Sequence, residues 1–484
     1  MPGAPVTLSD YNIPGILCRN QQQEWRISHL KKTTESTRDL TKGIIWKQLL
    51  LFALPLLGSS LIQQLYNTVD LLFVGNFLDN EAFAAVGASS LIITCLIGFF
   101  TGMSVGTGVV SAQSFGGKSK ADLQRTVHTA IGFSFLGGAI LMAIGYVGAP
   151  TFLLWMNTPA EILDISVSYL RIYFLSFISI VTYNMGSGIL RAVGDSKSPL
   201  FYQLIGGIIN VIMDALFLVV FDYGVEGVAW ATLFSQTVAA GCVLIHLSLT
   251  DGNHHLTWSK IRIDKEILIR IVQVGVPVGL QSLVITLSNV FVQYQINGFG
   301  VEPIAAFAAY FKVELLIYLP IVAFGQAITI FVAQNLGANR IERMKKGTRD
   351  CLLMGTALAV VTSIILLIFG REAFWIFNHD PLVIGYGIRI IQTTFPFYFL
   401  YVILEVLGGS IRGSGKTTPP MLIVLLNICV FRTIMLFVIV AFYTDVRGVA
   451  MVYPITWATT SACMAIYYLK GKWHAGTTPT DVYG

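Results

Sequence analysis

Residues 51–75 read LFALPLLGSSLIQQLYNTVDLLFVG. The stretch is apolar and long enough to cross about 30 Å of hydrocarbon, yet it carries Gln63, Asn67 and Asp70. Their spacing of i, i+4 and i+7 puts all three on one face of a helix. An ionised carboxylate at a bilayer centre costs about 3 kcal/mol on insertion scales, so Asp70 is expected to face a protein interior or a wet cavity. A polar helix-packing contact is the plain reading of such a residue; a functional site is the sharper one, and the rest of the chain tests it.

At 484 residues a soluble chain would make two or three domains, but 55% of these residues are hydrophobic and only 12% are charged. Apolar runs of span length recur throughout, at roughly 46–74, 88–111, 127–150, 165–190, 199–221 and 227–248, then 267–296, 304–333, 350–370, 386–411, 419–443 and 448–469. The expected fold is an all-α integral membrane protein of twelve transmembrane helices. Residues 1–40 read as a polar N-terminal arm, with a membrane-surface helix near residues 25–30 as the sharper possibility. Residues 41–250 and 267–470 form two lobes joined by a linker at 251–266, and 471–484 form a tail.

The net charge of +5 matters less than its placement. In a twelve-span reading Arg371 and Arg447 are the only basic residues on one side, and Arg171, Lys312, Arg389 and Arg432 lie within spans. The rest of the 31 Lys and Arg, including Arg191 and Arg412 as loop residues, fall on the other side. The positive-inside rule then places both termini and the linker in the cytoplasm, and the absence of organelle-type signals makes an inner (plasma) membrane the expected location. Basic residues scattered over short loops exclude a nucleic-acid partner; the expected partners are a small organic molecule and the lipid bilayer, for a monomeric chain. The six cysteines show no paired spacing, and no cofactor or zinc motif is present. His254 and His255 in the linker are read as solvated.

A repeat runs through the chain at an offset of 221 to 222 residues. Pro55 aligns with Pro277, Ser60 with Ser282, Asn67 with Asn289, AQSFGGK at 112–118 with AQNLGAN at 333–339, Arg191 with Arg412, and Pro199 with Pro420. Two homologous six-helix lobes follow. Because six is even, these are parallel repeats related by a pseudo-twofold axis along the membrane normal, an arrangement of secondary transporters. Pro55 and Pro277 fall inside the first helix of each half, where a kink is expected.

In the fifth span Gln203, Gly207, Asn210 and Asp214 repeat at helical spacing. Counting at about 1.5 Å per residue places Asp70, Asp214 and, on span six, Thr232 at a common depth, roughly 7 to 10 Å from the outer ends of their helices. Paired carboxylates with an amide and a hydroxyl suit a hard cation or a shared proton. The second half offers no copy, since Val292 stands where Asp70 does and Phe431 follows Asn427 by four.

The run 46–75, the AQ-x-x-G ends of spans two and eight, and NVIMDALF in span five together resemble the MATE family of multidrug and toxic compound extrusion transporters, closest to its DinF-like branch. The resemblance spans residues 39–470. It implies a V-shaped cavity between two lobes and alternating-access antiport of amphipathic, cationic organic compounds against Na+ or H+. It implies that Asp70, Asn210, Asp214 and Thr232 hold the coupling ion, Na+ included, and that Pro55 bends. Gln63, Asn67, Asn184, Gln203, Asn289, Lys312 and Glu314 are candidates for lining or gating the cavity. Lys312, Glu314, Glu405 and Arg432 read either as cavity lining or as ion pairs between helices.

A flippase for lipid-linked or other anionic precursors is the alternative, and it would need a basic cavity that Asp70 and Asp214 oppose. A receptor or channel fits two repeated halves less well. GSIRGSGKTT at 409–418 imitates a phosphate loop, but Ser410 stands where the motif needs Gly, and a membrane helix precedes it. No enzymatic role is expected.

Overall fold

The computed structural model describes residues 38–443 and 445–474. The arm before residue 38, with its proposed surface helix, and the tail after 474 lie outside the described residues. Eleven helices are long and apolar enough to cross a membrane, and a bent pair makes twelve. In chain order they are α1 (Ile45–Phe77), α2 (Asn80–Gly116), α3 (Lys120–Trp155), α4 (Ala160–Leu175 with Phe177–Ala192), α5 (Lys197–Val220) and α6 (Gly224–Leu249). The second half supplies α7 (Lys265–Phe299), α8 (Val301–Gly337), α9 (Ile341–Ile368), α10 (Pro381–Gly413), α11 (Thr418–Ile439) and α12 (Val446–Lys470). A short helix, Gly370–Trp375, precedes α10.

Several helices outrun their expected bounds because hydropathy marks the hydrocarbon and not the helix. Thus α2 begins at Asn80, capped by the Asp79 side chain, which accepts from the Ala82 N–H. Two irregularities had no signal in hydropathy: α4 bends by 42° at Ser176, and π-helical turns occupy Ala215–Val220 and Leu425–Phe431 in the equivalent helices α5 and α11. The helices run unbroken through Pro55 and Pro277.

The hydrophobic residues divide into two cores, but α1 and α7 each cross between them. Ile45, Leu49, Phe52 and Leu56 at the start of α1 are buried among residues of α8 and the rest of the second half. Ile267 and Ile271 at the start of α7 are buried with the first half. Beyond Ser59 only Val74 of α1 is buried, so this helix is gripped at the end carrying the basic loops and loosely held at the other. Apolar side chains such as Ile140, Ile144, Val361 and Ile365 stay exposed around the outside, as a lipid-facing surface requires.

The lobes meet at the basic-loop end. At Gly102 on α2 an added Cβ would lie 2.2 Å from the Gly279 backbone nitrogen on α7, a backbone approach open only to glycine. Nearer the helix ends, Gly116 sits against the Gln334 carbonyl and Gly337 against that of Gln113. The Gln334 amide donates to Ala192 O at 2.7 Å, and Gln113 donates to Gly413 O at 3.3 Å, each reaching into the opposite lobe. The AQ-x-x-G motifs are thus the closure between the lobes.

Two expectations are corrected here. Arg191 and Arg412, read as loop residues, belong to the last turns of α4 and α10, and Arg412 is buried. His254, read as solvated, is buried within the linker with its ring 3.4 Å from Thr250 Oγ1. Lys312, a candidate for lining the cavity, is exposed on α8.

Candidate functional site

Three helices of the first lobe build the site. The helix carrying Asp70, α1, packs on α5, with Ile62 of α1 against Gly207, while Gly206 of α5 faces Ala239 and Ser235 of α6. Asp214 ends the regular α-helical part of α5, and the π-helical turns begin at the next residue. Such turns shift the register of the helix, and insertions of this kind occur often at functional sites.

With the Asn210 amide turned so that Nδ2 faces the acids, it donates to Asp70 Oδ1 at 2.7 Å and to Asp214 Oδ2 at 3.2 Å. Asn210 and Asp214 are fully buried, while Asp70 is half-buried. Asp214 Oδ1 is buried with no hydrogen-bond partner. An unsatisfied carboxylate oxygen beside a second carboxylate is a costly arrangement that a proton or a hard cation would relieve. The donors present, two carboxylates, an amide that can turn its oxygen inward, and the nearby Thr232 hydroxyl, are all oxygen and suit Na+ as well as H+.

Thr232 on α6 joins through a residue that sequence reasoning passed over. Tyr66 donates its hydroxyl to Thr232 Oγ1 at 3.2 Å, and Thr232 itself donates to Val228 O at 3.1 Å. Tyr66 lies four residues before Asp70, so one helical turn on a shared face was the available signal. Tyr169 and Tyr173 of α4 are buried, with their ring centroids 6.1 Å apart.

The other candidates do not join this cluster. Gln63 and Asn67 share its face of α1 but are exposed, and Gln203 is half-buried. Pro55 is buried at the gripped end of α1. Asn184 donates to Ile180 O at 2.8 Å, and its own carbonyl accepts from Ser104 Oγ at 2.5 Å.

The second lobe holds a different constellation. Glu314 accepts hydrogen bonds from Tyr398 and, at 3.2 Å, from Tyr310. Arg432 lies 4.9 Å over the Tyr453 ring and donates to Asn289 Oδ1 at 3.4 Å and Thr456 Oγ1 at 3.5 Å. Neither forms a salt bridge among the described residues. Glu405 instead pairs with Arg412, at 2.5 Å. Where the first lobe has its acids, the second has buried Val292.

A family model described as MatE matches residues 55–216 and again 277–438, beginning at the two aligned prolines. The protein named "Probable multidrug resistance protein YoeA" of Bacillus subtilis (strain 168) is 28% identical over 443 residues, 89% of this chain and 95% of that protein. The protein named "Probable multidrug resistance protein NorM" of Thermotoga maritima is 25% identical over 442 residues, 89% of this chain and 93% of its own. Among solved structures, a MATE in the straight conformation superposes with a TM-score of 0.83 at 21% identity, covering 89% of this chain and 97% of that one. A MOP superfamily transporter from Pyrococcus furiosus gives 0.82 at 21% identity, covering 89% and 96%. At these identities the structures establish the fold.

Proposed function

The chain belongs to the MatE family of multidrug efflux transporters, and on that premise we propose that it exports amphipathic, cationic organic compounds in exchange for Na+ or H+ at the Asp70–Asn210–Asp214 cluster. The observation that carries the proposal is the pair of acids bridged by one buried amide, with Asp214 Oδ1 left unsatisfied.

The site links chemistry to motion through α1. Asp70 sits on the loosely held half of this helix, and Pro55, which cannot donate a backbone hydrogen bond, sits in the gripped half. When a cation or proton occupies the acids, α1 is drawn against α5 and α6. When it leaves, the two carboxylates repel and α1 moves off. Bending between Pro55 and Ser59 would let the outer half move while the inner half stays in the other lobe's core. Binding of the ion thereby changes the volume open to substrate, which is the differential interaction that exchange requires.

Dye efflux from vesicles under separately imposed Na+ and H+ gradients tests this. Flux driven by one gradient, and lost in both Asp70→Asn and Asp214→Asn, is the expected result and identifies the ion. Wild-type rates in both variants would refute the assignment.

A further inference from the structure

Between the lobes, just inside the closure made by the two AQ-x-x-G motifs, lies a cavity of about 220 Å³. Its walls come from α1, α2 and α4 on one side and α7, α8 and α10 on the other, with apolar surfaces from Leu56, Val105, Ile285 and Ile330. It is separate from the acid cluster and shares no residue with it. Three charged side chains line it: Arg191, Glu405 and Arg412.

The repeat makes their imbalance plain. Arg412 has Glu405 seven residues before it, and the two form a salt bridge at 2.5 Å. Arg191 occupies the equivalent position in the first lobe, and the residue seven before it is Asn184. The Asn184 amide is turned away and donates to Ile180 O. The Arg191 guanidinium forms no hydrogen bond or salt bridge among the described residues, and its Nε is buried without a partner. A guanidinium with five donors and no acceptor is costly inside a membrane protein unless an anion completes it. Also on this cavity's wall, Gln281 Oε1 is buried without a donor.

We propose that this interlobe cavity binds an organic carboxylate with an apolar body and an N–H or O–H donor, the carboxylate on Arg191 and the donor directed to Gln281. The planar fork of Arg191 matches a carboxylate bidentately. The apolar walls take the body, and the volume, larger than a cavity of about 150 Å³ that accepts benzene, suits a compact aromatic acid. The transporter's range then includes anions or zwitterions, bound at a place distinct from the coupling acids.

Equilibrium dialysis of the purified full chain with radiolabelled indole-3-acetate tests the site, against tryptamine and indole-3-ethanol as cationic and neutral analogues of the same ring. The acid is expected to bind saturably and about 10-fold or more tighter than either analogue. Arg191→Gln should lose that advantage, and Arg191→Lys should keep part of it. Glu405→Gln frees the second guanidinium and should tighten binding several-fold, which serves as the independent test if Arg191→Gln does not fold. Blocking the donor, in 1-methylindole-3-acetate, should weaken binding through Gln281. No saturable binding to folded wild type, equal affinity for the three ligands, or unchanged affinity in folded Arg191→Gln would each overturn the proposal. The measurement uses no gradient, so its failure is distinguishable from failure of the coupling assignment.

Discussion

Tyr66 on α1 donates its hydroxyl to Thr232 Oγ1 on α6 across 3.2 Å, one helical turn from Asp70. This is the side-chain hydrogen bond that ties the loosely held half of α1 to α6. A neutral hydrogen bond contributes about 1 kcal/mol net. Tyr66→Phe should therefore weaken ion dependence by roughly 5-fold, read as a higher Na+ or H+ concentration for half-maximal dye efflux at an unchanged protein level. An unchanged half-saturation point would place the bond outside the coupling cycle.

The closure between lobes depends on glycine where α2 crosses α7. Gly102→Val inserts a side chain where the Gly279 backbone is 2.2 Å from the Cβ position. Overpacking of this kind costs typically about 1 to 3 kcal/mol. The variant should favour separation of the lobes at the basic-loop end, seen as faster modification of a cysteine introduced at Thr101 on the cavity wall. Equal labelling rates with and without the substitution would show that the crossing tolerates the change.

The linker is fastened to the first lobe by the Thr257 N–H, which donates to His128 Nε2 at 3.1 Å, and by the Asp264 carboxylate. Asp264 accepts from Arg125 at 2.8 Å and caps α7 by accepting from Glu266 N and Ile267 N. Its own N–H donates to Thr129 Oγ1 at 3.1 Å. The Arg125 hydrogen bond, together with these backbone donors, holds its carboxyl below the usual range. Asp264→Ala removes a helix cap worth about 1 kcal/mol and the ion pair as well. Thermal scanning in detergent should show a lower transition temperature, with Asp264→Asn intermediate.

His254 gives the linker a pH response. Burial is the main cause pushing its pKa from 6.5 down to about 4, with His246 and His255 acting in the same direction and Asp195 opposing them. The unfolded linker accepts a proton near pH 6.5 that the folded one refuses until about pH 4. Stability from this residue is therefore complete above pH 6.5 and is lost as pH falls toward 4. Limited proteolysis between residues 250 and 260 should quicken from pH 7 to pH 5 in wild type and not in His254→Phe; the same acid response in both would assign it to another group.

Much of this architecture was legible in the chain itself. Apolar runs identified twelve spans, because burial in lipid leaves a signal within each segment. The shared offset of Pro55 with Pro277 and of the AQ-x-x-G motifs identified the repeat. Asp70, Asn210 and Asp214 could be brought together by counting depth along known directions. What escaped reading depends on contacts between segments. That α1 begins in the opposite core, that α4 bends at Ser176, and that Arg191 and Arg412 turn inward are settled by neighbours distant in sequence. Hydropathy treats an arginine at a helix end as a loop residue wherever its side chain goes. His254 was misread for the same reason: its cover comes from folding of the linker on itself and on the helix ends.

The crossing of α2 and α8 has one more property. Gly116 meets Gln334 while Gly337 meets Gln113, and the two glutamines reach Ala192 and Gly413, positions that are themselves counterparts in the repeat. Each contact is thus made twice with the partners exchanged, as in an isologous dimer. A chain of half this length bearing one copy of the motif would already carry a patch complementary to itself. Joining two copies in tandem preserves that self-recognition as an internal seam, and it frees the remainder of each copy to diverge. One half could then keep a pair of acids where the other keeps valine and phenylalanine, and one arginine could lose the carboxylate that its twin retains.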